Sequence, residues 1–185
     1  GVMLCEDQPR SAMLDLAERA GNVGCTVSFD PNTRKDLWPD PSVLEPTMRS
    51  AIGLADVIKT DRDDLSILFD TASTPIDQVA QDLIDIGPST VFLTRGELGT
   101  YALASAGAPW GPAEIDLPAF DVDTADTTGS GDAFTAGVIT ALLEDRSFVD
   151  SVRFANAVGA LATTETGAME PLPNREQVQS LLESR

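Results

Sequence analysis

Histidine is absent from this sequence, which removes histidine-based acid–base catalysis and histidine metal ligation from the outset. Lysine is nearly absent too, with Lys35 and Lys59 the only examples. Thirty acids face 12 bases, a formal net charge of −18. The clustered Lys and Arg that a phosphate backbone demands are missing, so a nucleic-acid surface is excluded. Two cysteines, Cys5 and Cys25, make neither a disulfide framework nor a metal spacing. No apolar run is long enough to span a bilayer, and no membrane partner is expected. The first residues, GVMLCEDQPR, place no basic cluster ahead of an apolar stretch, so no secretory signal is expected and the chain reads as cytoplasmic.

What is present is a globular composition, 42% apolar over 185 residues, enough for one domain with a sizeable core. Strand-like and helix-like patterns alternate along it. Residues 11–20 carry apolar positions at 13, 14, 17 and 20 and read as a helix ended by Gly21. Residues 23–29 read as a buried strand of parallel-sheet type, 55–59 as a second and 90–94 as a third. Between them, the second half of 41–54, from Met48 on, is helical in pattern, a helix runs through Leu65, Leu68 and Phe69, and 76–86 is an amphipathic helix closed by Gly87-Pro88. Residues 115–117 and Val122 read as short extended pieces, 148–164 as a helix rich in small residues, and 175–182 as a last helix after Pro171 and Pro173. The alternation predicts a single α/β domain over residues 1–185, three-layered and Rossmann-like, with a mainly parallel central sheet flanked by helices.

The chain is organised around Asp126-Thr127-Thr128-Gly129-Ser130-Gly131-Asp132, followed by the apolar helix AFTAGVITALLE. Glycines let a phosphate approach the backbone, and the unpaired N–H groups at a helix start point at it. Asp132 falls in the first turn, where the helix dipole favours a carboxylate. An ionised carboxylate beside an anion hole built from the amides of Gly129, Ser130 and Gly131 suits transfer of a phosphoryl group to a hydroxyl. A bare glycine turn with a capping acid is the plainer alternative, and the seven-residue pattern with its helix weighs against it.

This stretch resembles the D-T-T-G-A-G-D signature of the ribokinase-like, or PfkB, carbohydrate kinases, with Ser130 in place of the usual alanine. The resemblance runs in motif order from about the first helix to the end and covers only the family's C-terminal part. The N-terminal glycine motifs, most sugar-contacting residues and the β-lid lie outside it. It implies a ribokinase-like fold and phosphorylation of a sugar hydroxyl by ATP with Mg²⁺, in which Asp132 is the general base. Fructokinase and 2-keto-3-deoxygluconate kinase are the nearest functions. It also implies ATP and a small sugar as the partners, a homodimer through the lid, and a monovalent cation, potassium in a salt-adapted cell, with Asp126 and Thr128 as candidates by position.

Other stretches resemble the family less completely. Asp30-Pro31-Asn32-Thr33-Arg34, with Leu37-Trp38 after it, is similar to a substrate and phosphate loop, which makes Asn32 and Arg34 binding candidates. A proline turn for the first two residues and a surface ion pair for Arg34 are the alternatives. The stretch from Lys59 to Asp64 resembles K-x-N-x-x-E with Asp61 for Asn and Asp64 for Glu. Lys59 and Asp61 are thus nucleotide-side candidates, and Asp64 a Mg²⁺ contact through water, or else the acids simply cap a helix. Thr94, Gly96 and Gly99 match a nucleotide-lining T-x-G-x-x-G, although any hairpin there would need glycine. Asn156 falls in the helix that packs near adenine in the family, where close helix packing alone also explains its small neighbours.

The acids are spread over the whole chain, as in DRDD (61–64) and DVDTAD (121–126), either as an ordinary solvated face or as adaptation to high salt. Adaptation predicts a melting temperature that climbs steeply from dilute buffer to molar KCl, where the Debye length shrinks to roughly 3 Å. A flat profile over that range contradicts it.

Overall fold

A computed structural model describes residues 2–169 and 172–184; Pro171, expected ahead of the last helix, lies outside them. Two short apolar runs make the centre of the sheet. Strand β2 (Val57–Thr60) is buried at every position and β3 (Thr90–Thr94) at all but its last, as strands covered on both faces must be. β2 pairs in parallel with β3, Val57 opposite Thr90 and Thr60 opposite Leu93. On its other side β2 pairs in parallel with β1 (Ser28–Phe29). β4 (Thr100–Ala104) and β5 (Ala113–Leu117) complete the order β1-β2-β3-β4-β5. The connection from β3 to β4 is too short for a crossover and forms a hairpin, with the Arg95 N–H donating to Gly99 O at 2.8 Å. The sheet is therefore mixed, with the parallel part at the β1 side.

The chain divides into two compact units. The first comprises Gly1–Leu93 with Tyr101–Glu114. Here helices α2 (Leu44–Gly53) and α4 (Ile76–Ile86) bury Ile52, Val79 and Leu83 against Ile58 and Val91 of the sheet. Helix α1 (Asp7–Asn22) starts earlier than its apolar spacing suggests, because Pro9 is tolerated in a first helical turn. None of its residues is fully buried.

Residues 23–29 are not the buried strand that their β-branched content predicts. The first of them cap α1, with Val23 N–H on Ala20 O and Cys25 N–H on Ala20 O, and Val23 is 77% exposed. Only Ser28–Phe29 pairs, on one side, as an edge strand. The helix expected through Leu65 and Phe69 shrinks to one turn, α3 (Arg62–Leu65), followed by turns. Val122 lies in no strand.

The second unit comprises Thr94–Thr100 with Ile115–Arg185. Its core is the contact between α5 (Ser130–Leu143) and α6 (Phe148–Leu161), with α7 (Arg175–Glu183) adding Val178. Small residues let the α5 and α6 backbones approach. A Cβ on Gly137 would stand 2.8 Å from Ala155 Cα, and one on Gly159 would stand 3.3 Å from Ser130 O. The start of α5 is thus pinned by its own packing face.

Candidate active site

In the second unit the predicted loop leads straight into α5. Gly129 is the residue before the helix, at φ +79, a conformation that glycine adopts freely. A Cβ there would also lie 2.9 Å from Ala168 O, so the residue is fixed twice over. Asp126 ties the loop on both of its carboxylate oxygens. Oδ1 accepts from the Thr128 N–H at 2.9 Å and from the Thr128 hydroxyl at 2.7 Å, while Oδ2 accepts from the Gly167 N–H at 3.2 Å. The Ala125 and Asp126 amides donate to Thr163 O at 2.7 and 3.1 Å, using a carbonyl that the end of α6 leaves free.

One amide of the predicted anion hole is not available. The Ser130 N–H closes a turn on Thr127 O at 3.2 Å, and the Ala133 N–H returns to Gly129 O at 2.9 Å. The N–H groups between them, of Gly131 and Asp132, fall in the first turn, whose donors a helix leaves without an intrahelical partner. The Asp132 side chain is exposed on this first turn. Backbone donors and carboxylate thus stand on one helix end.

The remaining candidates of this unit divide by role. Asn156 is buried, and its carboxamide is engaged within the fold: the Thr100 hydroxyl donates to Oδ1 at 2.7 Å and Nδ2 donates to Pro118 O at 3.3 Å. Asn156 clasps the start of β4 to the segment after β5. Gly99 is fixed by a backbone crossing, since a Cβ would fall 2.0 Å from Leu117 O. Gly96 faces open space at φ +57, and Thr94 ends β3. A shallow groove of ≈ 410 Å³ lined by Arg146, Phe154 and Arg175 contains none of these residues. Its two arginines are held by Glu144, whose carboxyl they lower to about 2.

The first unit gathers the other set. Lys59 is buried at the end of β2 and pairs with Asp30 at 3.1 Å. Asn32 and Arg34 both sit at positive φ, +37 and +41, with the Arg34 Nε donating to Asn32 Oδ1 at 2.7 Å. Arg34 is exposed and, among the described residues, pairs with no carboxylate. Asp61 caps α3, accepting the Asp64 N–H at 2.9 Å. Asp64 turns to Thr33 and accepts its N–H on Oδ1 at 2.7 Å. Burial pushes the Asp64 carboxyl up from 3.8; the Thr33 N–H opposes this, Asp61 and Asp30 push further up, and Lys59 pulls down.

Metal ions fit this donor set poorly. Among the described residues no group of three His, Cys, Asp or Glu side chains is placed to hold one. Asp64 is committed to Thr33, and Asp126 carries three hydrogen bonds within its loop. Both carboxylates order the loops they sit in, Asp64 through Thr33 and Asp126 through Thr128 and Gly167. Thr33, Thr100, Thr163 and Ala168 are the participants that sequence patterns alone did not single out. Their contributions are contacts between segments distant in sequence, the Thr100 hydroxyl to Asn156 and backbone groups of the other three, for which no local signal exists.

With the geometry in view, the chain was compared with known proteins. Residues 1–175 match the family described as pfkB family carbohydrate kinase. A fructokinase of Vibrio alginolyticus is 31% identical over 183 residues, covering 96% of this chain and 57% of that protein. A 2-dehydro-3-deoxygluconokinase of Bacillus subtilis is 35% identical over 165 residues, covering 89% of this chain and 48% of that protein. The crystal structure of a fructokinase double mutant from Vibrio cholerae, bound to fructose, ADP and potassium, superposes with a TM-score of 0.86 at 32% identity, covering 98% of this chain and 58% of that one. The chain thus spans about half the length of the relatives it matches.

Asp126 has a consequence for pH. Its carboxyl lies below the ordinary 3.8 because the Thr128 hydroxyl, then the Thr128 and Gly167 amides, favour the charged form. A depressed carboxylate stabilises the fold above its unfolded value and ceases to as pH falls through the folded one. The amide resonances of Thr128 and Gly167 are expected to share one titration with a midpoint below 3.8. A midpoint at or above that value contradicts the assignment.

Proposed function

The chain belongs to the pfkB family of carbohydrate kinases, and we propose that it supplies the nucleotide-binding and catalytic part of a fructokinase-like enzyme. The observation that carries this reading is the loop start of α5: two helix-start amides beside an exposed carboxylate, on a turn held by Asp126 and Gly129. In the reaction, a sugar hydroxyl attacks the terminal phosphorus of ATP. The new O–P bond forms as the bond to the ADP oxygen breaks, and the hydroxyl proton passes to the Asp132 carboxylate. The Gly131 and Asp132 amides hold charge on the phosphoryl oxygens. In the first unit Arg34, whose Nε donates to Asn32 Oδ1, is the candidate for a phosphate contact of its own.

Mg²⁺ entering with ATP would neutralise charge on the nucleotide's phosphates. Fructose is the sugar we favour, from the 31% identity to the Vibrio alginolyticus enzyme over nearly the whole chain. The 35% identity to the Bacillus subtilis enzyme keeps 2-keto-3-deoxygluconate as the second reading. The acidic surface we assign to life in high salt, where potassium salts screen it.

Asp132→Asn tests the mechanism. Asparagine starts a helix almost as well as aspartate but accepts no proton. General-base catalysis contributes typically 10²–10⁴ in rate, so in a full-length context kcat with ATP and fructose is expected to fall by about that factor with nucleotide affinity nearly unchanged. Near-normal kcat would mean that Asp132 only caps the helix. An unchanged nucleotide affinity with no turnover in either form would favour a binding module without catalysis.

A further inference from the structure

The turn at residues 32–34 holds two of the three non-glycine residues at positive φ among those described, with an ordinary residue bolted between them. Thr33 is 1% exposed. All three of its polar groups are held: the N–H by Asp64 Oδ1 at 2.7 Å, the hydroxyl by Asp64 O at 3.1 Å, and the carbonyl by the Trp38 indole N–H at 2.9 Å. Trp38 is buried in the core cluster with Met48 and Leu44, so the clamp is anchored in packing. Asp64 is held in turn by the Asp61 cap. On either side of Thr33 the chain turns through a left-handed residue, and the polar ends of Asn32 and Arg34 meet each other at 2.7 Å. Asparagine enters the left-handed region readily, but a long side chain such as that of Arg34 stays there only where its surroundings impose it.

We propose that Asp64 is a positioning residue: by gripping Thr33 it imposes the turn that presents Arg34, braced by Asn32, to a phosphate group. The inference rests on the reading of Arg34 as a phosphate ligand and deepens it. It replaces a metal-shell role for this acid, and the side-chain length explains the change. A carboxylate one methylene shorter than glutamate, on a one-turn helix, ends at the Thr33 amide. A hydrogen-bond acceptor is what the grip needs. A metal contact would need the charge instead.

Two substitutions separate these roles. Asp64→Asn keeps an acceptor oxygen for the Thr33 N–H and removes the charge, whereas Asp64→Ala removes both. In the full chain, exchange of the Thr33 amide with solvent is expected to stay slow in the wild type and in Asp64→Asn, and to quicken by an order of magnitude or more in Asp64→Ala. ATP affinity, by calorimetry, is expected to fall in Asp64→Ala and in Arg34→Ala by similar factors, with no further loss in the double variant, and to be largely retained in Asp64→Asn. Should Asp64→Ala fail to fold, Trp38→Phe opens the same clamp from its other side and is expected to reproduce the Arg34-dependent loss. The proposal is overturned if Asp64→Asn is as damaging as Asp64→Ala, or if Thr33 exchange is indifferent to both. Arg34→Ala with unchanged ATP affinity overturns the phosphate reading itself. Loss in Arg34→Ala without loss in Asp64→Ala overturns only the positioning role.

Discussion

One close backbone approach underlies the candidate active site: Gly129 against Ala168. With no side chain between them, the chain leaving α6 lies against the turn that starts α5. Asp126 then reaches both sides of that approach, to Thr128 within the turn and to Gly167 beside Ala168. The helix behind the turn is secured the same way, by Gly159 against Ser130 at its start and by Gly137 against Ala155 at its middle. A helix start held so firmly offers its amides without reorganisation on binding, which is the condition under which backbone dipoles stabilise developing charge most.

The same principle, groups committed to holding the fold, applies to several of the candidate ligands. Asn156 clasps two segments, Gly99 accommodates a crossing, Lys59 neutralises Asp30, and Asp64 grips Thr33. What is left facing outward is small: two amides and a carboxylate in one unit, a guanidinium with its amide brace in the other. That economy fits an enzyme class in which the chemistry is mostly positioning and electrostatics.

Much of this was legible in the residues. The α/β alternation, the strand 90–94, the helix 76–86 and the turn at Gly129 are encoded locally, by period and by glycine, and the structure carries each of them. The ribokinase-like fold agrees with them. Residues 23–29 misled because β-branched content marks a strand but not whether a helix cap claims its first half. The grip of Asp64 on Thr33 was not legible, because a motif position names a residue type and not the direction of its side chain. The commitment of the Ser130 amide to Thr127 was equally invisible, since a three-residue turn and a helix start share the same glycine-rich signature.

The central claim is that the Gly129 turn is a preformed phosphate site. Calorimetric titration of ADP into the wild-type chain and into Gly129→Ala, with far-UV circular dichroism confirming that both are folded, tests it most directly. The methyl group collides with Ala168 and strains a left-handed turn, so the account predicts ADP binding by the wild type and a loss of an order of magnitude or more in the variant. Equal ADP affinity in the two folded proteins would contradict it.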